Sequence, residues 1–302
     1  MAIRDILANN VLMMTIAFAT GFVFGGLPAL NSEFAMGSLV LVMSLSLGGL
    51  SLRGLDPKKH ARSTIIALFM TWGMSSGVTI FLGQFFEGQI KIGWIILAAV
   101  PSAVAVIPFT YMLKGDMQIS LVSSTFLYVV ALAITPLMTF VFVGTAISPI
   151  TILWYVAVLI FLPMALSRGV NKIPLSGQSR TILINIFFFV LTFTVTGANR
   201  NAFFADVLLV AGLLLVAVAR TFIVGTLVEV ISRKLKVDRK ERIPMVLFAT
   251  YKNTGMAAAL AVALIGSEAA IPATICIALE IVWFLGLTRL VYPQPRSIRT
   301  TR

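Results

Sequence analysis

The sequence predicts an all-α membrane protein whose ten transmembrane helices form two halves of five. The 302 residues are 59% hydrophobic and only 11% charged, which is typical of a chain that crosses a bilayer many times. Ten apolar stretches each reach about the 20 residues needed to cross the hydrocarbon core. The expected spans are 6–28, 33–52, 64–83, 92–113, 117–143, 149–167, 181–198, 205–231, 244–265 and 270–290.

The distribution of basic residues predicts the orientation in the membrane. If the chain alternates sides from span to span, 19 of the 23 basic residues fall on the side of the N-terminus, and Lys91 and Arg200 fall on the other side. Because cytoplasmic loops are enriched in Lys and Arg, we expect both termini in the cytoplasm of a bacterial or archaeal cell, with the chain in its inner (plasma) membrane. The net charge of +12 is therefore a topology signal, and no nucleic-acid partner is expected.

Two of the expected spans are interrupted near their centres. The fourth carries Pro101 and Pro108, and the ninth carries Lys252, Asn253 and Thr254 followed by a glycine. Proline removes a helical N–H and clashes with the preceding turn. Backbone freed in this way is tolerated in a bilayer only where protein or a water-filled cavity satisfies it. We therefore expect both spans to be broken helices.

The order of the breaks predicts an inverted repeat. Residues 1–145 and 146–302 each contain five spans, and the broken span is the fourth in each half. Because five is odd, the second half enters the membrane with the opposite orientation. Paired broken helices in an inverted repeat mark the binding site of a secondary transporter. Their ends would offer partial positive and negative charge at the midplane, suited to a carboxylate and a cation.

Lys252 is the most costly residue to place in a bilayer, so it should face a cavity or a partner. One interpretation is a fixed cation that neutralises helix carbonyls or an anionic substrate. A second is a structural ion pair with Glu280, and a third is a proton carrier. Arg220, inside the eighth span, is a competing partner for Glu280.

Polar side chains at and after the breaks are the other candidate ligands. Asn and Thr can bind ions or carboxylates, but they can also cap the broken helix, and membrane hydroxyls often bond their own backbone. The expected substrate-binding residues are Pro108, Thr110, Tyr111, Lys252, Asn253 and Thr254. The candidates for ion coupling or ion pairing are Ser120, Ser124, Lys252 and Glu280.

Glycine pairs at four-residue spacing predict close helix contacts. They are Gly21 with Gly25 and Gly73 with Gly77.

Two stretches resemble motifs of the bile acid/sodium symporter superfamily. The run T-Y-M-L-K-G-D at 110–116, with Ser120 and Ser124 downstream, is similar to the family's T-Y-L-A-[KR]-G-[DN] element. The run K-N-T-G-M at 252–256 is similar to its Q-N-[ST]-G-L element. The resemblance implies the ten-span fold shared with sodium/proton antiporters. A core of spans three to five and eight to ten would then move against a panel of spans one, two, six and seven.

The departures from the family pattern concern sodium. Val106 and Ile107 stand where sodium-coupled members have a Ser-Asn pair, and Phe248 stands where they have a shared glutamate. Lys252 replaces the family's glutamine. Hydrocarbon side chains cannot replace the hard oxygen ligands of sodium, so no metal site is expected and proton coupling or facilitation becomes the alternative.

The sequence thus predicts a secondary transporter for a small or amphipathic organic anion that operates without the family's sodium sites. Three alternatives stay open: a sodium-coupled symporter with a rearranged site, a cation/proton antiporter using Glu280, and a non-transporting membrane protein. No nucleophile or acid/base constellation points to an enzyme, and no cofactor is expected.

Overall fold

The structure, a computed structural model, describes residues 3–26, 31–48, 58–144 and 148–293. Within these ranges the chain is helical, and extended pairing is limited to one isolated bridge. The ends of the first two expected spans and the basic tail lie outside the described residues.

The helices of the first half follow the expected spans closely. They are α1 (Ile3–Ala8), α2 (Asn10–Phe24), α3 (Asn31–Gly48), α4 (Ala61–Leu68), α5 (Ser76–Gly83), α6 (Gly88–Ala99), α7 (Val106–Leu113) and α8 (Met117–Val143). A π-helical segment, Phe69–Ser75, joins α4 to α5 in one continuous helix. The first expected span is divided, which is a departure from the prediction: the side chain of Asn9 accepts from the backbone N–H of Leu12 and starts α2 as a new helix.

The second half of the chain is helical as well. Its helices are α9 (Pro149–Val170), α10 (Gly177–Ala198), α11 (Arg200–Ala205), α12 (Val207–Val218), α13 (Val224–Lys234), α14 (Arg239–Thr250), α15 (Thr254–Leu264) and α16 (Ile271–Gly286). A π-helical segment, Ala219–Ile223, joins α12 to α13. A 3₁₀ turn (Glu268–Ala270) and a further π-helical segment (Leu287–Val291) extend α16 to the range Glu268–Val291.

Helix length and apolar composition divide these elements into two sets. In the described part of the chain, six helices are long and apolar enough to cross a membrane: Ala61–Gly83, Met117–Val143, Pro149–Val170, Gly177–Ala198, Val207–Lys234 and Glu268–Val291. Four shorter apolar helices accompany them: Asn10–Phe24, Glu33–Ser46, Gly88–Ala99 and Thr254–Leu264. The fourth and ninth expected spans are broken, as predicted.

The helices pack as two groups. In one, α10 lies against α2 and α3, and α3 lies against α9. In the other, α6 packs against α5, α8, α15 and α16, while α14 packs against α7, α13 and the segment Phe69–Ser75. Helices of both groups contribute to the larger apolar cluster around Trp94, and the buried residues of the smaller cluster around Phe248 come from the second group.

The glycine pairs behave differently from each other. A Cβ on Gly21 would lie 2.7 Å from the carbonyl oxygen of Phe193, so the prediction of close contact holds between α2 and α10. Gly77 has no atom within 4 Å of an added Cβ, so the prediction is wrong for that residue.

A polar cluster joins the C-terminal part of α13, the first turn of α14 and Tyr292, which follows α16. Glu229 forms an ion pair with Arg242 (Oε1 to Nε, 3.3 Å) and accepts a hydrogen bond from the Tyr292 hydroxyl. This cluster ties the end of the tenth expected span to the basic loop between the eighth and ninth.

Candidate functional site

The broken helices meet through their extended segments. Residues 100–105, between α6 and α7, pair antiparallel with residues 251–253, between α14 and α15; we call these two segments the crossover. The Ala103 N–H donates to the Tyr251 carbonyl (3.0 Å), and the Asn253 N–H donates to the Pro101 carbonyl (2.8 Å). Proline disfavours helical geometry in the residue before it, and Val100 is accordingly extended, with φ −67° and ψ 156°. At 1.5 Å per residue the 12-residue α6 is roughly 18 Å long, a little over half of a bilayer core.

Lys252 lies at the centre of the crossover, opposite Ser102, with none of its surface exposed. Its ammonium donates three hydrogen bonds, to the Ala98 carbonyl (2.7 Å), the Val100 carbonyl (2.8 Å) and the Ser76 hydroxyl (2.8 Å). The Trp72 ring centroid lies 5.6 Å from the same nitrogen. An ammonium has three donors, so all are used. Lys252 thus closes the carbonyl end of α6, where the helix dipole is negative.

Neighbouring helices satisfy the remaining carbonyls at the end of α6. The Trp72 indole N–H (3.0 Å) and the Thr135 hydroxyl (2.9 Å) both donate to the Ala99 carbonyl. The Ser76 hydroxyl also lies 2.6 Å from the Ala98 carbonyl. The freed backbone is therefore satisfied by protein, as a break in a membrane helix requires.

Asn253 and Tyr128 connect the two segments of the crossover. The Asn253 side-chain oxygen accepts from the Met256 N–H (3.0 Å) and caps the start of α15. Its amide donates to the Tyr128 hydroxyl (2.8 Å), which in turn lies 3.2 Å from the Ser102 carbonyl. The capping interpretation of Asn253 is thereby realised in the structure.

Arg220 and Glu280 form a buried ion pair beside the end of α14. Arg220 Nη1 lies 3.0 Å from Glu280 Oε1, and Nη2 donates to the Thr250 carbonyl (3.1 Å). Thr254, the first residue of α15, is buried as well. Glu280 therefore pairs with Arg220, and the ammonium of Lys252 pairs with backbone carbonyls instead.

The other expected site residues are not all brought together. Thr110 is buried, and its hydroxyl contacts Ser120 Oγ (2.7 Å) and the Val106 carbonyl (2.7 Å). Ser124 is buried, and its hydroxyl has no partner among the described residues. Pro108 is exposed, and Tyr111 keeps 72% of its surface, so both face away from the crossover.

The positions that depart from the sodium-coupled pattern are buried and apolar. Val106, Ile107 and Phe248 expose 0%, 4% and 1% of their surfaces. Val106 and Phe248 belong to one apolar cluster. A narrow cleft with about 20 Å³ of free space, room for about one water, reaches Phe248 from the N-terminal part of α14.

Several residues of the crossover do not stand out in the sequence. Trp72 and Ser76 act from the third expected span and Tyr128 from the fifth. Ser102 contributes a buried hydroxyl that has no partner within the described part of the chain. The polar run from Thr71 to Ser76 within an apolar span is the signal that points to two of them. Because that segment is π-helical, its carbonyl and side-chain directions differ from those of a regular helix.

Discontinuous helices that meet inside a bundle of apolar helices, with charged side chains buried at their ends, are the arrangement found in secondary transporters. The profile of the SBF-like CPA transporter family matches residues 30–282, and the chain belongs to that family. This membership confirms the resemblance to the bile acid/sodium symporter superfamily and makes the protein an integral membrane transporter. A search of curated proteins finds no match.

Proposed function

We propose that this transporter moves a small or amphipathic organic anion by alternating access and does so without sodium. One observation carries the proposal: the buried charges at the crossover leave an excess of positive charge. Arg220 and Glu280 compensate each other, while Lys252 has no carboxylate partner among the described residues. A buried charge is costly unless it is compensated, so an anionic substrate is the ligand that this environment favours.

The ligands around Lys252 support sodium independence. Its ammonium is bonded to two backbone carbonyls and a serine hydroxyl, which are the hard oxygen donors that a small cation would otherwise take. Where the resemblance places further sodium ligands, the chain has buried Val106, Ile107 and Phe248. A side chain that is covalently part of the protein cannot dissociate, so it stabilises the crossover without coupling transport to a metal gradient.

Corresponding elements that recur at the same interval along the chain support a ten-span inverted repeat. Two of the π-helical segments begin 150 residues apart, at Phe69 and Ala219, and Ser102 and Lys252 at the bridge are also 150 residues apart. Helices α6 and α14 contain 12 residues each and end immediately before the two extended segments.

The two packing groups support the division into a panel and a core. We assign the panel to spans one, two, six and seven (α2, α3, α9 and α10) and the core to spans three to five and eight to ten. The substrate would meet the core at the start of α15, near Asn253 and Thr254, where helix N–H groups and the unpartnered Ser102 hydroxyl favour an anion. The three N–H donors of the Lys252 ammonium already bond to protein oxygens, so the lysine would act on the substrate through its charge.

Cation/proton antiport is the second candidate, because Glu280 supplies a buried carboxylate beside the crossover. In that case, adding sodium or potassium to everted vesicles would release protons from them, and Glu280→Gln would abolish the release. An organic-anion transporter gives no such proton movement.

The test of the proposal is thermal unfolding of the purified protein with a panel of organic anions, in sodium buffer and in matched potassium buffer. A ligand that binds only the folded state stabilises it by RT ln(1 + [L]/Kd), so a micromolar ligand at millimolar concentration is visible. We expect an anion to raise Tm equally in both buffers.

Lys252→Gln, which keeps hydrogen-bond donors but loses the charge, should lose this effect, while the surface variant Lys234→Gln should keep it. An anion effect that requires sodium would instead support a symporter with a rearranged site and would contradict the sodium-independent proposal.

A further inference from the structure

Arg220 caps the broken helix α14 of the second half, as Lys252 caps the broken helix α6 of the first half. It belongs to the π-helical segment Ala219–Ile223 and has no exposed surface. Its guanidinium reaches the end of α14 and donates to the Thr250 carbonyl at 3.1 Å. The carboxylate of Glu280 holds it from the other side at 3.0 Å. Arg220 therefore presents positive charge to the negative end of the α14 dipole.

The two capped carbonyls occupy matching places in the crossover. Val100 lies two residues before Ser102, and Thr250 lies two residues before Lys252, the two residues joined by the bridge. Lys252 Nζ donates to the Val100 carbonyl at 2.8 Å, and Arg220 Nη2 donates to the Thr250 carbonyl. Each broken helix thus ends against one cation that is part of the chain.

The two helix ends match in their backbone, but the side chains that cap them do not stand at equivalent positions of the two halves. The residue 150 positions before Arg220 is Met70, and the residue 150 positions before Lys252 is Ser102. Both cations come from the second half, one from the π-helical segment and one from the crossover itself. The backbone geometry of the two broken helices repeats, whereas the cation at the carbonyl end of each helix comes from a different element.

We propose that Arg220 is a second built-in cation of the crossover, held by Glu280 so that it neutralises the carbonyl end of α14 as Lys252 neutralises that of α6. Removal of its side chain would leave a carboxylate and a carbonyl facing a cavity, which is an oxygen ligand set for a small or planar cation. The arrangement makes a dissociable cation unnecessary in both halves. Of these statements, only the last, that transport needs no dissociable cation, rests on the proposed function.

The experiment removes the guanidinium and supplies it again from solution. Arg220→Ala should lower Tm by on the order of 10 °C, because it leaves the Glu280 carboxylate buried and unpaired. Titration with methylguanidinium or sodium should raise Tm of this variant saturably, and the wild type should not respond. Arg220→Ala combined with Glu280→Gln should lose the response, since the carboxylate ligand is gone. Arg242→Ala, which breaks the Glu229 pair outside the crossover, is the matched control and should show no rescue.

A wild-type Tm in Arg220→Ala, the absence of rescue by either cation, or equal rescue in the double variant would overturn the proposal. If Arg220→Ala cannot be purified, Arg220→Lys is compared with Arg220→Met combined with Glu280→Gln. The proposal requires the lysine variant to keep the higher Tm, since the neutral pair leaves the end of α14 without a cation; equal Tm values would contradict it. The rescue is measured without any organic anion from the panel. A failure of rescue is therefore distinct from a failure of the organic anions to bind.

Discussion

At the scale of single residues, hydrogen bonding decides whether a charge can be kept inside this protein. A lysine at mid-bilayer costs about 2.5–3.5 kcal/mol on insertion scales. Lys252 makes three charge-assisted hydrogen bonds, each contributing about 1.5–3 kcal/mol. The bonds therefore offset the insertion cost of the lysine, while its net positive charge stays without a carboxylate partner among the described residues.

Replacement of Lys252 by methionine, which preserves the apolar stem, should destabilise the protein. The Val100 carbonyl would lose its side-chain donor, at about 1–3 kcal/mol for an unsatisfied group, while the Ala98 carbonyl would keep only the Ser76 hydroxyl. Lys252→Gln retains an amide with two N–H donors and should lose less. Thermal unfolding in detergent compares the two variants, and a methionine variant as stable as the glutamine variant would show that the ammonium is not needed at α6.

Tyr128→Phe tests the connection between the strands of the crossover. The phenol hydroxyl joins the Asn253 amide to the Ser102 carbonyl, so its loss should lower the free energy of unfolding by about 1–3 kcal/mol. Tyr111→Phe is the control, because that side chain is 72% exposed. Equal Tm values for the two variants would contradict the bridging role of Tyr128.

At the scale of elements, close backbone contact fixes where the broken helix α6 lies. Gly93 on α6 faces the backbone of Ala269, at the turn that starts the last helix. The middle of α6 is consequently held against the start of the helix that carries Glu280. The positions of the two broken helices thus depend on contacts made away from the crossover.

Gly93→Ala should displace α6, because the added Cβ would lie 2.1 Å from the Ala269 carbonyl oxygen. Gly77→Ala is the matched control: it also lies in a helix, nothing is within 4 Å, and alanine favours helix by about 1 kcal/mol over glycine. We expect Tm to fall for the first variant and to stay or rise for the second. The contact assignment is wrong if both variants behave alike.

At the scale of the whole molecule, charge distribution orients the bundle. The loop that follows α13 carries exposed basic residues, whereas Glu87 lies in the exposed turn before α6. From the positive-inside rule we expect the first in the cytoplasm and the second outside.

Thiol labelling in intact cells tests this orientation. Cys276 is fully buried, so native protein gives little background. Glu87→Cys should react with a membrane-impermeant maleimide in intact cells, and Lys234→Cys only after permeabilisation. The reverse pattern would invert the topology and place both termini outside.

Much of this fold could be predicted because hydropathy and proline act locally. A window of about 20 residues is enough to find a span, and helix α8 begins and ends at the predicted residues 117 and 143. The two breaks were predictable for the same reason, since Pro101 and the Lys252-Asn253 pair interrupt apolar runs. The candidate site was predictable only in part: Lys252 and Asn253 lie at the crossover, while Tyr111 faces away from it.

The sequence by itself determined that this is a polytopic membrane protein with two interrupted spans and a lysine at one of the breaks. Only the tertiary structure decided that Lys252 caps α6, that Glu280 pairs with Arg220 and that Thr110 bonds to Ser120. The bonds of Lys252 join residues 152 to 176 positions apart. Such partners depend on how each helix is rotated about its axis and on two π-helical segments that shift this rotation, and neither quantity is encoded within a single span.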